Sequence, residues 1–217
     1  MSPDPSSLRA ALRDGTRDLH DRTEAAFVLG APGVTRAEYV AVLGRLLGLY
    51  ASAEAALAPW ASALAGYGLE LAPRRKTPLL RRDFRALGGA PIGGAPVGRG
   101  PGAGGPVVGI PTVAHAFGTL YVLEGSTLGG QLLRRRLAPA LGLTPEAGLA
   151  FFSVYGADVG PMWRAFGEAL DRFDTAAAPA DRAAARGDAL AGARAAFLAF
   201  ERWVVAPTAR PALAVPA

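Results

Sequence analysis

Apolar positions recur with a helical spacing along nearly the whole chain. Leu8, Leu12, Leu19 and Ala26 form one stripe of a first helix, which Ser6 or Ser7 can cap and which runs to about Val28, ahead of Gly30, Pro32 and Gly33. Thr35-Arg-Ala-Glu38 reads as a capping box for a second helix carrying Tyr39, Leu43, Leu46, Leu47 and Tyr50, with Pro59 at its end. Thr77-Pro78 opens a short third, by the preference for proline in a first turn. Thr112 caps a long apolar helix, Thr144-Pro145 opens another, and Gly156, Gly160 and Pro161 separate that one from a helix ending near Asp174. A last alanine-rich helix spans about Asp181 to Val204. No clear strand alternation occurs. The pattern predicts an all-α fold in which the 217 residues form a single domain over 1–217. Between 88 and 111 glycine and proline exceed half the residues, which predicts a flexible surface loop.

Composition narrows the chemistry. The chain has no cysteine, which removes disulfides, thiolate nucleophiles and cysteine-ligated clusters and agrees with a cytoplasmic location. Its 2 histidines, His20 and His115, are the candidates for any imidazole chemistry. A net charge of +5, carried by arginine at every basic position but Lys76, suggests anionic partners. The N-terminus has no basic segment followed by an apolar run, so no signal peptide is expected. Residues 107–133 bear one formal charge, Glu124, yet Gly109 and Pro111 break the start and a central carboxylate is costly in lipid, so a buried helix is expected and no membrane span. Residues 100–105 fit GxGxxG without a preceding strand, and the context for a dinucleotide site is missing. The basic residues Arg74, Arg75, Lys76, Arg81, Arg82 and Arg85 carry no interleaved aromatics, so they read as a solvated face and not as a nucleic-acid site.

Two segments stand apart. Tyr121-Val-Leu-Glu-Gly125-Ser126-Thr-Leu-Gly129-Gly130-Gln131 places three glycines inside an apolar helix, where each costs about 1 kcal/mol relative to alanine. Gly125 and Gly129 share a face, which makes a bare groove for a flat ligand. In the first helix Arg13, Arg17, His20 and Glu24 fall on one stripe, bringing two cations, an imidazole and a carboxylate together. An iron porphyrin needs a nitrogen ligand, an apolar slot and cations for its propionates, and this stripe can supply ligand and cations. The alternative is an amphipathic helix in which His20 and Glu24 form an exposed pair.

The glycine segment resembles the distal helix of bacterial haem oxygenases, and Thr16-Arg-Asp-Leu-His20-Asp-Arg-Thr-Glu24 resembles that family's proximal helix. The resemblance is strongest over 8–27 and 112–141, with support from 151–155, Trp163-Arg164 and 195–198. It implies a helical fold with haem sandwiched between a proximal and a distal helix. It further implies His20 as the iron ligand with Glu24 as its helical neighbour. Arg13, Arg17 and Arg164 match positions that contact the propionates, and Gly125, Gly129 and Gly130 match the distal glycines over the porphyrin. Ser126 stands where well-known members have an aspartate, and Val122 replaces an arginine. A bacterial branch associated with phytochromes looks similar in this respect.

The activity so implied uses haem as cofactor and substrate. With O2 and an external electron donor, a reductase or ferredoxin, it gives biliverdin, carbon monoxide and ferrous iron, to supply a bilin chromophore, with a phytochrome as acceptor, or to release iron. Ser126 would hold a distal water for proton delivery. A non-catalytic haem carrier or sensor would keep the same pocket without turnover, and an arginine-rich helical interaction protein would ignore haem.

Overall fold

In the computed structural model, which describes residues 7–89 and 109–208, the Ser7 side chain accepts a hydrogen bond from the Ala10 amide and starts α1, Leu8–Ala26. Leu8, Leu12 and Leu19 are buried as the apolar stripe requires, but Ala26 is exposed. The helix ends there, and a short 3-10 turn, Val28–Gly30, buries Val28 and Leu29 in its place. At the start of α2, Arg36–Leu57, both halves of the capping box form: Thr35 accepts from the Glu38 amide and Glu38 accepts from the Thr35 amide. The short α3, Ala61–Gly66, is absent from the sequence expectation, because six residues hold less than two turns of periodicity. Pro78 sits in the first turn of α4, Thr77–Ala86.

Thr112 accepts from the His115 amide to cap α5, Val113–Leu141, which stops at Gly142 in the left-handed conformation, φ 63°. Thr144-Pro145 does not open a helix. The Thr144 carbonyl accepts the amides of Ala147 and Leu149, and the chain turns tightly there. Gly160 and Pro161 do not precede α6, Val159–Ala176, but lie inside its first turn, where a missing amide costs nothing. The last long helix, α7, Pro179–Phe200, passes into a π turn, Glu201–Val205. No strand occurs among the described residues, and of the glycine- and proline-rich segment 88–111, positions 90–108 lie outside them.

One crossing organises the molecule. α5 and α7 approach until an added Cβ at Gly118 would run into the Ala189 carbonyl oxygen, and one at Gly192 into the backbone of His115. An aromatic group of Tyr67, Phe117, Phe166 and Phe173 fills the core beside it, Phe117 and Phe173 having ring centroids 4.8 Å apart. α1 lies on another flank of α7: Leu190 touches Gly15, Arg194 donates to Asp18, and Phe197 meets His20. On the sheetless scaffold α2 and α4 close the remaining side, with the fully buried Asp83 carboxylate accepting the amides of Ala150 and Phe151. Among the described residues the stretch long and apolar enough to cross a membrane is Arg36–Gly66, with 50% of its window buried in the fold, and not the 107–133 segment weighed above.

Candidate active site

α7 acts as a ruler for the two walls of the site. Gly15, Asp18 and His20 of α1 meet Leu190, Arg194 and Phe197 in ascending order. On the other flank His115 and Gly118 of α5 meet Gly192 and Ala189, while Val122 and Ser126 share a small cavity with Ala196 and Phe200. Both helices therefore run parallel to α7, and His20 and Gly125 stand within about one turn of each other along it. Lower down the walls touch through the Thr16 and Tyr121 side chains, one helical turn before His20 and Gly125 respectively.

The proximal wall is exposed. The His20 side chain is 60% exposed, with Nδ1 3.5 Å from Asp21 and 3.8 Å from Glu24, so the pair expected with Glu24 is electrostatic proximity and not a hydrogen bond. Asp21, which the stripe did not include, is the nearer carboxylate. Both place their charge on the Nδ1 side and leave Nε2 free. Arg13 and Arg17 both donate to Asp14, which their guanidinium groups hold below the usual carboxylate range. Exposed pairs of this kind contribute little, so either arginine can turn to a carboxylated ligand at small cost. Arg164 is exposed on the first turns of α6, beside Trp163, whose ring lies 5.9 Å from that of Tyr121. Arg13 acts electrostatically on the same Tyr121.

The distal wall is bare where the sequence indicated. A Cβ at Gly129 would meet nothing within 4 Å, and one at Gly125 only the Trp163 ring at 3.7 Å. Gly130 differs: it is buried, 3.5 Å from Phe152 by the same measure, and so belongs to the back of α5 and not to the open face. Leu128 and Leu132 are exposed at 42% and 59%, large apolar side chains left on the helix surface. Ser126 Oγ donates to the Leu123 carbonyl and lies 2.9 Å from the Tyr50 hydroxyl. Burial pushes the Tyr50 phenol up, so it keeps its proton and serves as donor or relay, not as a base. Beside this pair is a cavity of about 20 Å3, bounded by Leu49, Tyr50, Thr119, Val122 and Ser126 among others, which has room for about one water.

Behind the glycines lies a group that sequence reasoning assigned otherwise. Arg74 and Lys76 are not solvated. They are 8% and 1% exposed, and both bind the Glu124 carboxylate, itself 1% exposed. Burial pulls the Lys76 ammonium down and Glu124 opposes that shift. A lone carboxylate inside an apolar helix was the available signal, since it demands buried cations. Arg75, Arg81, Arg82 and Arg85 do lie exposed, as expected.

A family model described as "Heme oxygenase" matches residues 6–206. The chain belongs to the haem oxygenase family. A curated haem oxygenase of Xanthomonas campestris pv. campestris (strain 8004) is 36% identical over 186 residues, covering 84% of this chain and 98% of that protein. The solved haem oxygenase of Leptospira interrogans shares the fold at a TM-score of 0.70 with 20% identity, over 92% of this chain and 98% of its own. Membership makes the chain an enzyme of haem degradation and sets aside the arginine-rich interaction protein. A haem oxygenase acts on a flat, mostly apolar, dicarboxylated molecule.

Proposed function

We propose that the enzyme binds haem between His20 and the Gly125/Gly129 face and opens it with O2 and reducing equivalents to biliverdin, carbon monoxide and ferrous iron. The observation that carries the reading is the clear space over Gly129, one turn beyond Gly125, on a helix that runs beside the one bearing the His20 imidazole. The residues fit the group: His20 Nε2 is free to ligate iron, Gly125 and Gly129 offer bare backbone, and Arg13, Arg17 and Arg164 are exposed cations for the propionates. When bound, haem supplies the iron and the oxidisable porphyrin edge. His20 orients the iron, Asp21 and Glu24 raise the basicity of the imidazole from the Nδ1 side, and the arginines fix rotation in the plane. Ser126 Oγ, held by Tyr50, presents a hydroxyl to the water-sized cavity and passes protons toward the glycine face. Electrons come from a reductase or ferredoxin, and a phytochrome taking up biliverdin is one use of the product.

Incubation with haemin, a reductase system and O2 under catalase separates this reading from a carrier or sensor. Biliverdin with carbon monoxide supports it. A stable haem spectrum under the same conditions sinks it.

The Ser126 and Tyr50 pair gives a sharper expectation. A hydroxyl relays protons only while hydrogen-bonded in place, so Ser126→Ala should slow biliverdin formation about 100-fold, at the low end for a positioned proton-transfer group. Tyr50→Phe should act in the same direction, less strongly. Haem affinity should stay close to wild type in both, because neither touches iron or propionates. Wild-type rates for Ser126→Ala would assign proton delivery elsewhere.

A further inference from the structure

Burying two cations on one carboxylate is seldom more stabilising than filling the same space with apolar side chains, so the cluster behind α5 calls for another purpose. Its members reach across the site. Glu124 directly precedes Gly125, and its carboxylate receives Arg74, Lys76 and the Tyr155 hydroxyl, the last at 3.1 and 3.2 Å. Arg74 also donates at 3.2 Å to the carbonyl of Met162, the residue before Trp163. Lys76 lies under the rings of Tyr50 and Tyr155, 5.9 and 5.4 Å from their centroids, and donates to the Arg74 carbonyl at 3.3 Å.

Tyr155 carries a second sign of constraint. Its φ of 66° makes it the non-glycine residue with left-handed backbone among those described. A side chain holds that conformation only where surrounding contacts over-determine it, here the hydroxyl on Glu124 and the ring on Lys76. One guanidinium thus spans from the turn of α5 that bears Gly125 to the turn of α6 that bears Trp163 and Arg164. Trp163 comes to rest 3.7 Å from where a Gly125 Cβ would be.

We infer that Arg74, Lys76, Glu124 and Tyr155 are positioning residues that hold the Gly125 turn and the Trp163–Arg164 turn in fixed register, and thereby set how haem is rotated in its slot. The inference rests on the haem reading above for its second half only. The register itself is a property of the ligand-free protein. An apolar replacement could fill the cluster, but it could not grip Glu124 and the Met162 carbonyl together.

Arg74→Lys tests this with the charge retained, because an ammonium lacks the fork that reaches both acceptors. Tyr155→Phe is the companion, removing one hydroxyl and leaving both cations paired. Helicity by circular dichroism should match wild type for both. Amide hydrogen exchange of the ligand-free Arg74→Lys protein should rise about tenfold in 122–128 and 160–166 together. In turnover with haem, the ratio of biliverdin isomers should depart at least twofold from wild type for Arg74→Lys, and in the same direction but less for Tyr155→Phe. Unchanged exchange in both segments, or a rise confined to 72–77, would overturn the register. Coupled exchange with an unchanged isomer ratio would overturn its influence on haem. A wild-type protein that bound no haem would refute the haem reading, while the exchange comparison still decided the register.

Discussion

His20→Ala is expected to eliminate the histidine-ligated haem spectrum and all measurable turnover, while His115→Ala keeps both. Two histidines exist, and the structure separates them by height. His20 stands beside Phe197, within about one turn of the open glycine face, whereas the backbone of His115 packs against Gly192 lower on α7. His115 precedes Gly125 by ten residues, about 15 Å of helix, too far to reach iron centred over Gly125 and Gly129. Absorption and resonance Raman spectra of the two variants with haem, followed by turnover assays, check the assignment. Added imidazole should restore a five- or six-coordinate spectrum to His20→Ala, because the vacated position opens on the slot. A normal spectrum for His20→Ala, or its loss in His115→Ala, would move the ligand.

Glycine substitutions should divide into two opposite classes. Gly118→Ala is expected to cost about 3 kcal/mol or more, the upper range for overpacking, since the new methyl meets the Ala189 carbonyl in a backbone that cannot yield. Gly192→Ala should act alike against His115. Gly129→Ala should instead stabilise the ligand-free protein by about 1 kcal/mol, as alanine does in an exposed helix interior with nothing nearby. Its penalty should fall on the ligand, with haem affinity weakened about tenfold by a methyl standing between backbone and porphyrin. Urea unfolding of the ligand-free proteins and haemin titration separate the two readouts. If Gly129→Ala lowered stability and left haem binding untouched, the bare face would be a packing surface like that of Gly118.

That contrast also marks what the sequence could reveal. Gly118, Gly125, Gly129 and Gly130 all lie within one apolar helix, and composition does not tell which faces a neighbouring backbone, which faces a side chain and which faces open space. Periodicity grouped Gly125 with Gly129 and so picked out the open pair, but it could not show that Gly130 is turned toward Phe152. The caps at Ser7, Thr35 and Thr112 were readable because a capping hydrogen bond spans only three residues. Thr144-Pro145 misled for the same local reason: a proline that suits a helix start suits a tight turn equally, and the choice was made by the Thr144 carbonyl. Arg13, Arg17, His20 and Glu24 do share the exposed side of α1, as their spacing required. Tyr50 behind Ser126, and Arg74 and Lys76 behind Glu124, lie dozens of residues away along the chain, and such partners are fixed by tertiary packing that no local pattern encodes.

The central claim is that a porphyrin lies between His20 and the Gly125/Gly129 face. Binding of diamagnetic zinc protoporphyrin IX to 15N-labelled protein tests it directly, because a porphyrin ring current shifts protons above and below its plane strongly and reverses sign beyond its edge. The amide protons of Gly125 and Gly129 and the ring protons of His20 should move upfield together at one equivalent of ligand, while the amides of Gly118, Gly130 and Gly192 move far less. Large shifts centred on another set of residues, or shifts of the glycines without His20, would contradict the account.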